Sequence, residues 1–178
     1  GIREMSIKQV EVSMRLAAEL EALELTVHPG HMTLPGRREE SMKLLQDSLE
    51  QIGRLSDRIG VDVSLEIMEK IPKEFITDAQ SMKEAAESRK NQFFYTLDIA
   101  HCDSEEEPFH ILDQLKRISK IHISNRKGGC YHTPLGNGDF SFKEMLPKLL
   151  AYGLPLVTEG YDDSRDFHIF TENTAFLK

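Results

Sequence analysis

Five short apolar runs in this chain each close on or beside a residue type that binds metals: LTVH at His28, VSLE at Glu66, FFYTLD at Asp98, KIHIS at His122 and LPLVTE at Glu159. Each run has the length of a strand, and helix-like sequence separates it from the next. That alternation produces a parallel sheet with helices packed against it. In such folds the functional side chains gather beyond the carboxyl ends of the strands. One acid or imidazole at a strand end carries little weight, whereas five in succession point to side chains converging on a metal.

The segments between the runs fit this alternation. Ile7, Val10, Met14, Leu16, Ala17 and Leu20 have helical spacing and predict a helix from about Ser6 to Leu23, followed by a strand from Leu25 to His28 and a turn at Pro29-Gly30. Met42, Leu45, Leu49, Ile52, Leu55 and Ile59 share one face of a helix from about Arg38 to Ile59, with Gly60 as its stop and a strand from Val61 to Ile67 after it. A less apolar helix, about Asp78 to Ser88, precedes the strand from Phe93 to Asp98. Ser104 is then expected to cap a helix whose first turn holds Glu105, Glu106 and Glu107, acids that complement the helix dipole. After a strand from Ile118 to Ile123 comes a long polar loop, Ser124 to Asp139, a length usually tied to function. Ser141 and Glu144 read as a capping box opening a helix that ends near Gly153 despite Pro147. The strand from Leu154 to Glu159 and a helix from Ser164 to Leu177 complete the chain.

Composition narrows the function classes. The 178 residues are 39% hydrophobic and 29% charged, the make-up of an ordinary globular domain, and no apolar stretch approaches a membrane span. No signal peptide is legible, so a cytoplasmic location is expected. Cys102 and Cys130 are too few for a disulfide framework and lack CxxC spacing, so reduced thiols are expected. A net charge of −8 opposes nonspecific binding to nucleic acid.

Glu66, Asp98, His122 and Glu159 together offer three carboxylates and one imidazole. This is a hard, mostly oxygen donor set suited to manganese, magnesium or cobalt, and also to zinc. Three such acids repel one another without an ion, so metal is expected to stabilise the fold. His31, His110 and His168 are expected at the surface.

The pieces HPG (His28 to Gly30), LE (Leu65-Glu66), LDIAH (Leu97 to His101), HISN (His122 to Asn125), HTPLGNGDF (His132 to Phe140) and TE (Thr158-Glu159) span nearly the whole chain. In order and spacing the set resembles the xylose isomerase-like TIM-barrel superfamily, which holds sugar isomerases and epimerases together with the endonuclease IV family. The resemblance implies a (β/α)8 barrel of which residues 1–178 form a single partial domain. That domain is the last five units, lacking the first three strands, in keeping with an opening helix that no strand precedes. An uncovered sheet edge makes either self-association or a missing N-terminal segment expected.

For the site, the resemblance implies that His101 binds substrate in an epimerase or a second metal in a nuclease, and that His28 and His132 match nuclease metal ligands. The nuclease pattern carries an aspartate two residues before that last histidine, where this chain has Cys130. The arginine that an epimerase carries six residues after the metal histidine is absent, and Arg126 and Lys127 are expected to serve for it, with Lys127 to Gly129 (KGG) wrapping a phosphate. His28, His101 and Arg126 are thus the expected substrate contacts.

The leading expectation is a metal-dependent isomerase or epimerase acting on a sugar or sugar phosphate through an enediolate, with Glu66 and Glu159 as the acid and base. An endonuclease IV-like phosphodiesterase is the alternative, and a non-catalytic barrel remnant the third.

Overall fold

The computed structural model describes residues 1–33, 36–86, 92–162 and 165–178. It divides into two compact units, Gly1–Thr96 and Leu97–Lys178.

The first unit opens with helix α1 (Ile2–Glu19) and strand β1 (Glu24–Val27). The helix begins four residues earlier than periodicity predicts and stops at Glu19, because Glu21 turns the backbone to φ 56, which no helix tolerates. Leu20, counted by its spacing as part of the helix, and Leu23, its expected end, are therefore exposed. Helix α2 (Arg38–Ile59) matches expectation: Met42, Leu45, Leu49 and Ile52 are buried on one face, and Gly60, at φ 82, stops it with its N–H bonded to the Ser56 carbonyl.

Strand β2 (Asp62–Ile67) is buried at every position after the first and pairs parallel with β1, Glu24 opposite Asp62 and Val27 opposite Leu65. Both faces are covered, yet the strand is not a continuous apolar run: Val63, Leu65 and Ile67 alternate with the buried polar side chains of Ser64 and Glu66. Helix α3 (Ala79–Ala85) is capped by Asp78, whose carboxylate accepts the Ser81 N–H at 2.7 Å. The predicted end of this helix at Ser88 lies outside the described residues. Within the unit the strands run in the order β1, β2, β3, and the last of these (Phe94–Asp98) carries the chain into the second unit.

In the second unit β3 ends at Asp98 and passes into a 3-10 turn, Ile99–His101. Helix α4 (Glu107–Gln114) starts after Glu106, not at Ser104. The Ser104 hydroxyl instead holds the Glu106 carboxylate, and that bond pulls the Glu106 pKa below its ordinary 4.5. Strand β4 (Ile118–Ile123) lies between β3 and β7 (Leu156–Thr158), with His122 opposite Val157 in parallel register. The Glu159 N–H continues that pairing to the Ile123 carbonyl.

The segment expected as one long loop contains an antiparallel hairpin, β5 (Asn125–Lys127) and β6 (Cys130–Thr133). Gly128 and Gly129 sit at its tip with φ 54 and φ 88, the paired positive angles of a two-residue hairpin turn. KGG is thus a turn, and the Gly128 N–H expected for a phosphate donates to Asp139 Oδ2 at 3.0 Å.

Helix α5 (Phe142–Leu150) follows Ser141 and buries Phe142, Met145 and Leu149, while α6 (His168–Phe176) closes the chain. No capping box forms at Ser141, whose hydroxyl makes no cap bond and whose N–H is taken by Glu105, leaving Glu144 nothing to reciprocate. The predicted start of the last helix, Ser164, lies outside the described residues. Among the described residues no helix is long and apolar enough to cross a membrane.

Candidate metal centre

Each strand delivers its chemistry where the chain leaves it. In the first unit His28 follows the last residue of β1, and Glu66 lies near the end of β2. His28 Nε2 is 3.1 Å from Glu66 Oε2, pairing an exposed imidazole with a carboxylate that is 2% exposed. A second pair of the same kind stands beside it in sequence. His31 Nε2 lies 3.0 Å from Glu74 Oε1, and a backbone bridge joins the same two residues. Glu74 is buried, which drives its pKa above the ordinary 4.5 against the pull of His31 and Lys73. Nothing in the sequence singled out Glu74, since an acid in IPKEF reads as a surface loop residue.

The second unit gathers the rest. Asp98 is fully buried, and its Oδ1 accepts the Ala100 N–H at 2.7 Å, a bond that closes the 3-10 turn and fixes the carboxylate. Its Oδ2 lies 3.8 Å from His122 Nδ1 and 3.9 Å from His132 Nδ1. His122 Nδ1 is in turn 2.7 Å from Glu159 Oε2. Asp98, His122 and Glu159 each present one ligand atom within 4.8 Å of the others. Asp98, His101 and His132 form a second group on the same criterion, sharing the aspartate.

His132 is steered by the hairpin. Its φ is 60, and the Ser124 hydroxyl sits 3.0 Å from Nδ1, while the His101 ring meets it edge-on with centroids 5.3 Å apart. The hairpin hangs on Asn125, which is fully buried. Its Nδ2 donates to the Leu135 and Phe140 carbonyls, and its Oδ1 accepts the Phe140 and Arg126 N–H groups. A β-carbon at Gly138 would lie 2.2 Å from Asn125 Cγ, so the LGNGDF segment needs glycine there. The sequence offered HISN only as a family signature; the four-bonded asparagine is what makes it structural.

Arg126 donates to the Cys102 carbonyl, reaches Asp103 Oδ1 at 3.4 Å and lies 5.3 Å over the Tyr131 ring. Cys130 is exposed on β6 opposite Lys127 and belongs to neither ligand group.

This donor set fits a divalent cation. Two carboxylate oxygens bracket one imidazole nitrogen, and a backbone N–H orients the central acid, as the supporting shell of a metal site does. Of the expected quartet, three members thus gather within the second unit, and Glu66 belongs to the first, against His28.

Known proteins share this architecture. The chain is 20% identical to a D-tagatose 3-epimerase-like protein of known structure, with a TM-score of 0.85, over 99% of this chain and 68% of the other. For the 3-keto-D-glucoside 4-epimerase YcjR of E. coli the identity is 19% and the TM-score 0.77, over 96% of this chain and 69% of that one. At such identities the likeness establishes the fold. An uncharacterized protein of Methanocaldococcus jannaschii, MJ1614, is 25% identical over 167 residues, and the chain spans 65% of its length. The family model for the xylose isomerase-like TIM barrel matches residues 1–178 without a break, and the chain belongs to that family.

Proposed function

We propose that Glu66, Asp98, His122 and Glu159 hold one divalent cation, manganese, magnesium, cobalt or zinc, and that the barrel they serve isomerises or epimerises a sugar or sugar phosphate. The observation that carries this reading is the cluster of Asp98, His122 and Glu159, whose ligand atoms lie within 4.8 Å of one another. The family match runs across both compact units, which favours treating them as parts of one domain.

A bound divalent ion supplies Lewis acidity toward adjacent oxygens of an open-chain sugar. The chain's own groups do the proton work. One of the carboxylates, Glu66 or Glu159, takes the proton from the carbon beside the carbonyl, and the other returns it. His28, 3.1 Å from Glu66, orients that carboxylate. Return to the opposite face of the same carbon inverts it; return to the neighbouring carbon moves the carbonyl. His28, His101 and Arg126 are the proposed substrate contacts, with Arg126 steadied by Tyr131 and the Cys102 carbonyl.

The group Asp98, His101 and His132 favours one second reading, an endonuclease IV-like phosphodiesterase using more than one ion. The test is metal content by elemental analysis of chelator-free protein, joined to deuterium exchange at sugar carbons in D2O. One ion per chain, lost in Glu159→Gln, with exchange over a panel of ketoses, supports the isomerase. Two or three ions with nicking of abasic DNA and no exchange overturns it.

A further inference from the structure

The first unit contains a cavity of about 450 Å³, within the range of small-molecule sites at ~300–1,000 Å³. Helices α1 and α2 wall it, and the residues that follow β1 line one side. Its apolar part comes from Ile7, Leu45, Leu49 and their neighbours, as expected between two amphipathic helices. Its polar lining is the unexpected part. Arg3, His28 and His31 line the cavity with serine and threonine hydroxyls, and among the described residues no aspartate or glutamate does. Glu66 and Glu74 stand behind His28 and His31 at 3.1 and 3.0 Å, so the positive charge that the lining itself presents is that of Arg3, which makes no ion pair among the described residues.

Two features hold the basic groups in place. Arg3 Nη1 donates to the Ser48 hydroxyl at 3.4 Å, which positions the guanidinium at the wall and leaves the other donors of its fork for a ligand. His31 turns Nε2 to the buried Glu74, so Nδ1 is the nitrogen left to meet a ligand. His28, which lines the same cavity, touches Glu66 and so connects the cavity to a proposed catalytic carboxylate.

We infer that this cavity is an anion subsite that takes the phosphate monoester of a sugar phosphate, with Arg3 and His31 as its donors. The inference rests on the isomerase reading and sharpens its substrate class, favouring a phosphorylated sugar over a neutral one. The reacting end of the sugar then lies toward His28 and Glu66, and the phosphate toward Arg3.

The test is calorimetric titration of the metal-free chain in EDTA with inorganic phosphate, a ketose phosphate, the parent ketose and an aldonate. Expected is saturable binding of both phosphates, with the ketose phosphate tighter than the parent ketose. Arg3→Met weakens phosphate binding roughly tenfold, the weight of one hydrogen bond to a charged group, and His31→Ala also weakens it. Lys143→Met, the same charge change on α5, leaves it unchanged. Arg3 lies on the exposed first turn of α1, so a matching melting curve separates lost affinity from lost fold. Absence of phosphate binding, equal affinity in Arg3→Met, or preference for the aldonate overturns the inference. Because metal is absent throughout, failure here leaves the metal proposal standing, and metal content remains its separate test.

Discussion

The first unit matches its histidines to acids one to one, His28 with Glu66 and His31 with Glu74, whereas the second crowds three histidines and one further acid, Glu159, around a single buried aspartate. The two arrangements imply different demands. In a one-to-one pair each imidazole faces a single carboxylate. In the crowd, His122 stands against two carboxylates at once, and Asp98 Oδ2 faces two imidazoles. Such a set is better satisfied by a cation than by its own members, so the second unit is where metal should register.

His122→Ala tests that difference most severely. It removes the imidazole that faces both Asp98 and Glu159, and the expected loss of metal affinity exceeds roughly 100-fold, more than the 10–100-fold typical of supporting residues. Equilibrium dialysis with manganese or zinc measures it. The matching change in the first unit, His31→Ala, should leave metal affinity unaltered; equal losses would erase the contrast between the units.

Metal itself should stabilise the chain. At about 100 times its dissociation constant an ion bound only by the folded state adds about 2.7 kcal/mol. For a chain of this size that raises the melting temperature by roughly 5–10 °C. EDTA should reverse the rise, and an unchanged melting curve across the titration would count against a competent site.

Gly138→Ala asks whether the hairpin positions the ligands of the second unit. Its β-carbon would lie 2.6 Å from the Arg126 carbonyl and closer still to Asn125, and overpacking of this kind costs about 1–3 kcal/mol. Chemical denaturation should show that loss. If metal affinity falls as well, the Asn125 scaffold also serves His132.

Two acids of the first unit should respond to pH in opposite directions. Burial of Asp78 works against its charge, yet hydrogen bonds from Ser81 and Gln80 prevail and hold its pKa below the ordinary 3.8. Its contribution is therefore present above pH 3.8 and fades as pH falls through the lowered value. Asp78→Ala should cost about 1 kcal/mol at neutral pH and little in acid. Glu74 is raised by burial, so its contribution is complete below pH 4.5 and is lost as pH climbs through the folded value. The stability of the native chain relative to Glu74→Gln should thus decline with rising pH. Melting curves of both variants across pH would show it, and a flat difference for Glu74→Gln would mean its carboxylate is better solvated than its burial implies.

The local code of this chain was legible because it is periodic. The buried face of α2, its stop at Gly60 and the placement of His28, Glu66, Asp98, His122 and Glu159 at or just beyond strand ends all follow from spacings within about twenty residues. The hairpin was the hardest local element to see: β5 and β6 are three and four residues long, too short for alternation to rise above the polar composition around them. Ser104 and Ser141 carry helix-start residue types, but their bonding groups were claimed by Glu106 and Glu105, competitors that capping patterns do not weigh.

Sequence by itself determined the order of the five parallel strands and of the helices between them, the family and the residue types at the strand ends, because backbone periodicity and strand-end chemistry are written in neighbouring positions. Tertiary structure alone decided which acids are buried and what they face. Glu74 and Glu69 sit in the same segment, yet packing buried only Glu74 and set His31 against it. The four hydrogen bonds of Asn125 reach up to 15 residues along the chain, and Asp98 meets His132 from 34 positions away. Burial and electrostatic pairing depend on distance in space, and residues remote in sequence acquire that proximity only when the chain folds.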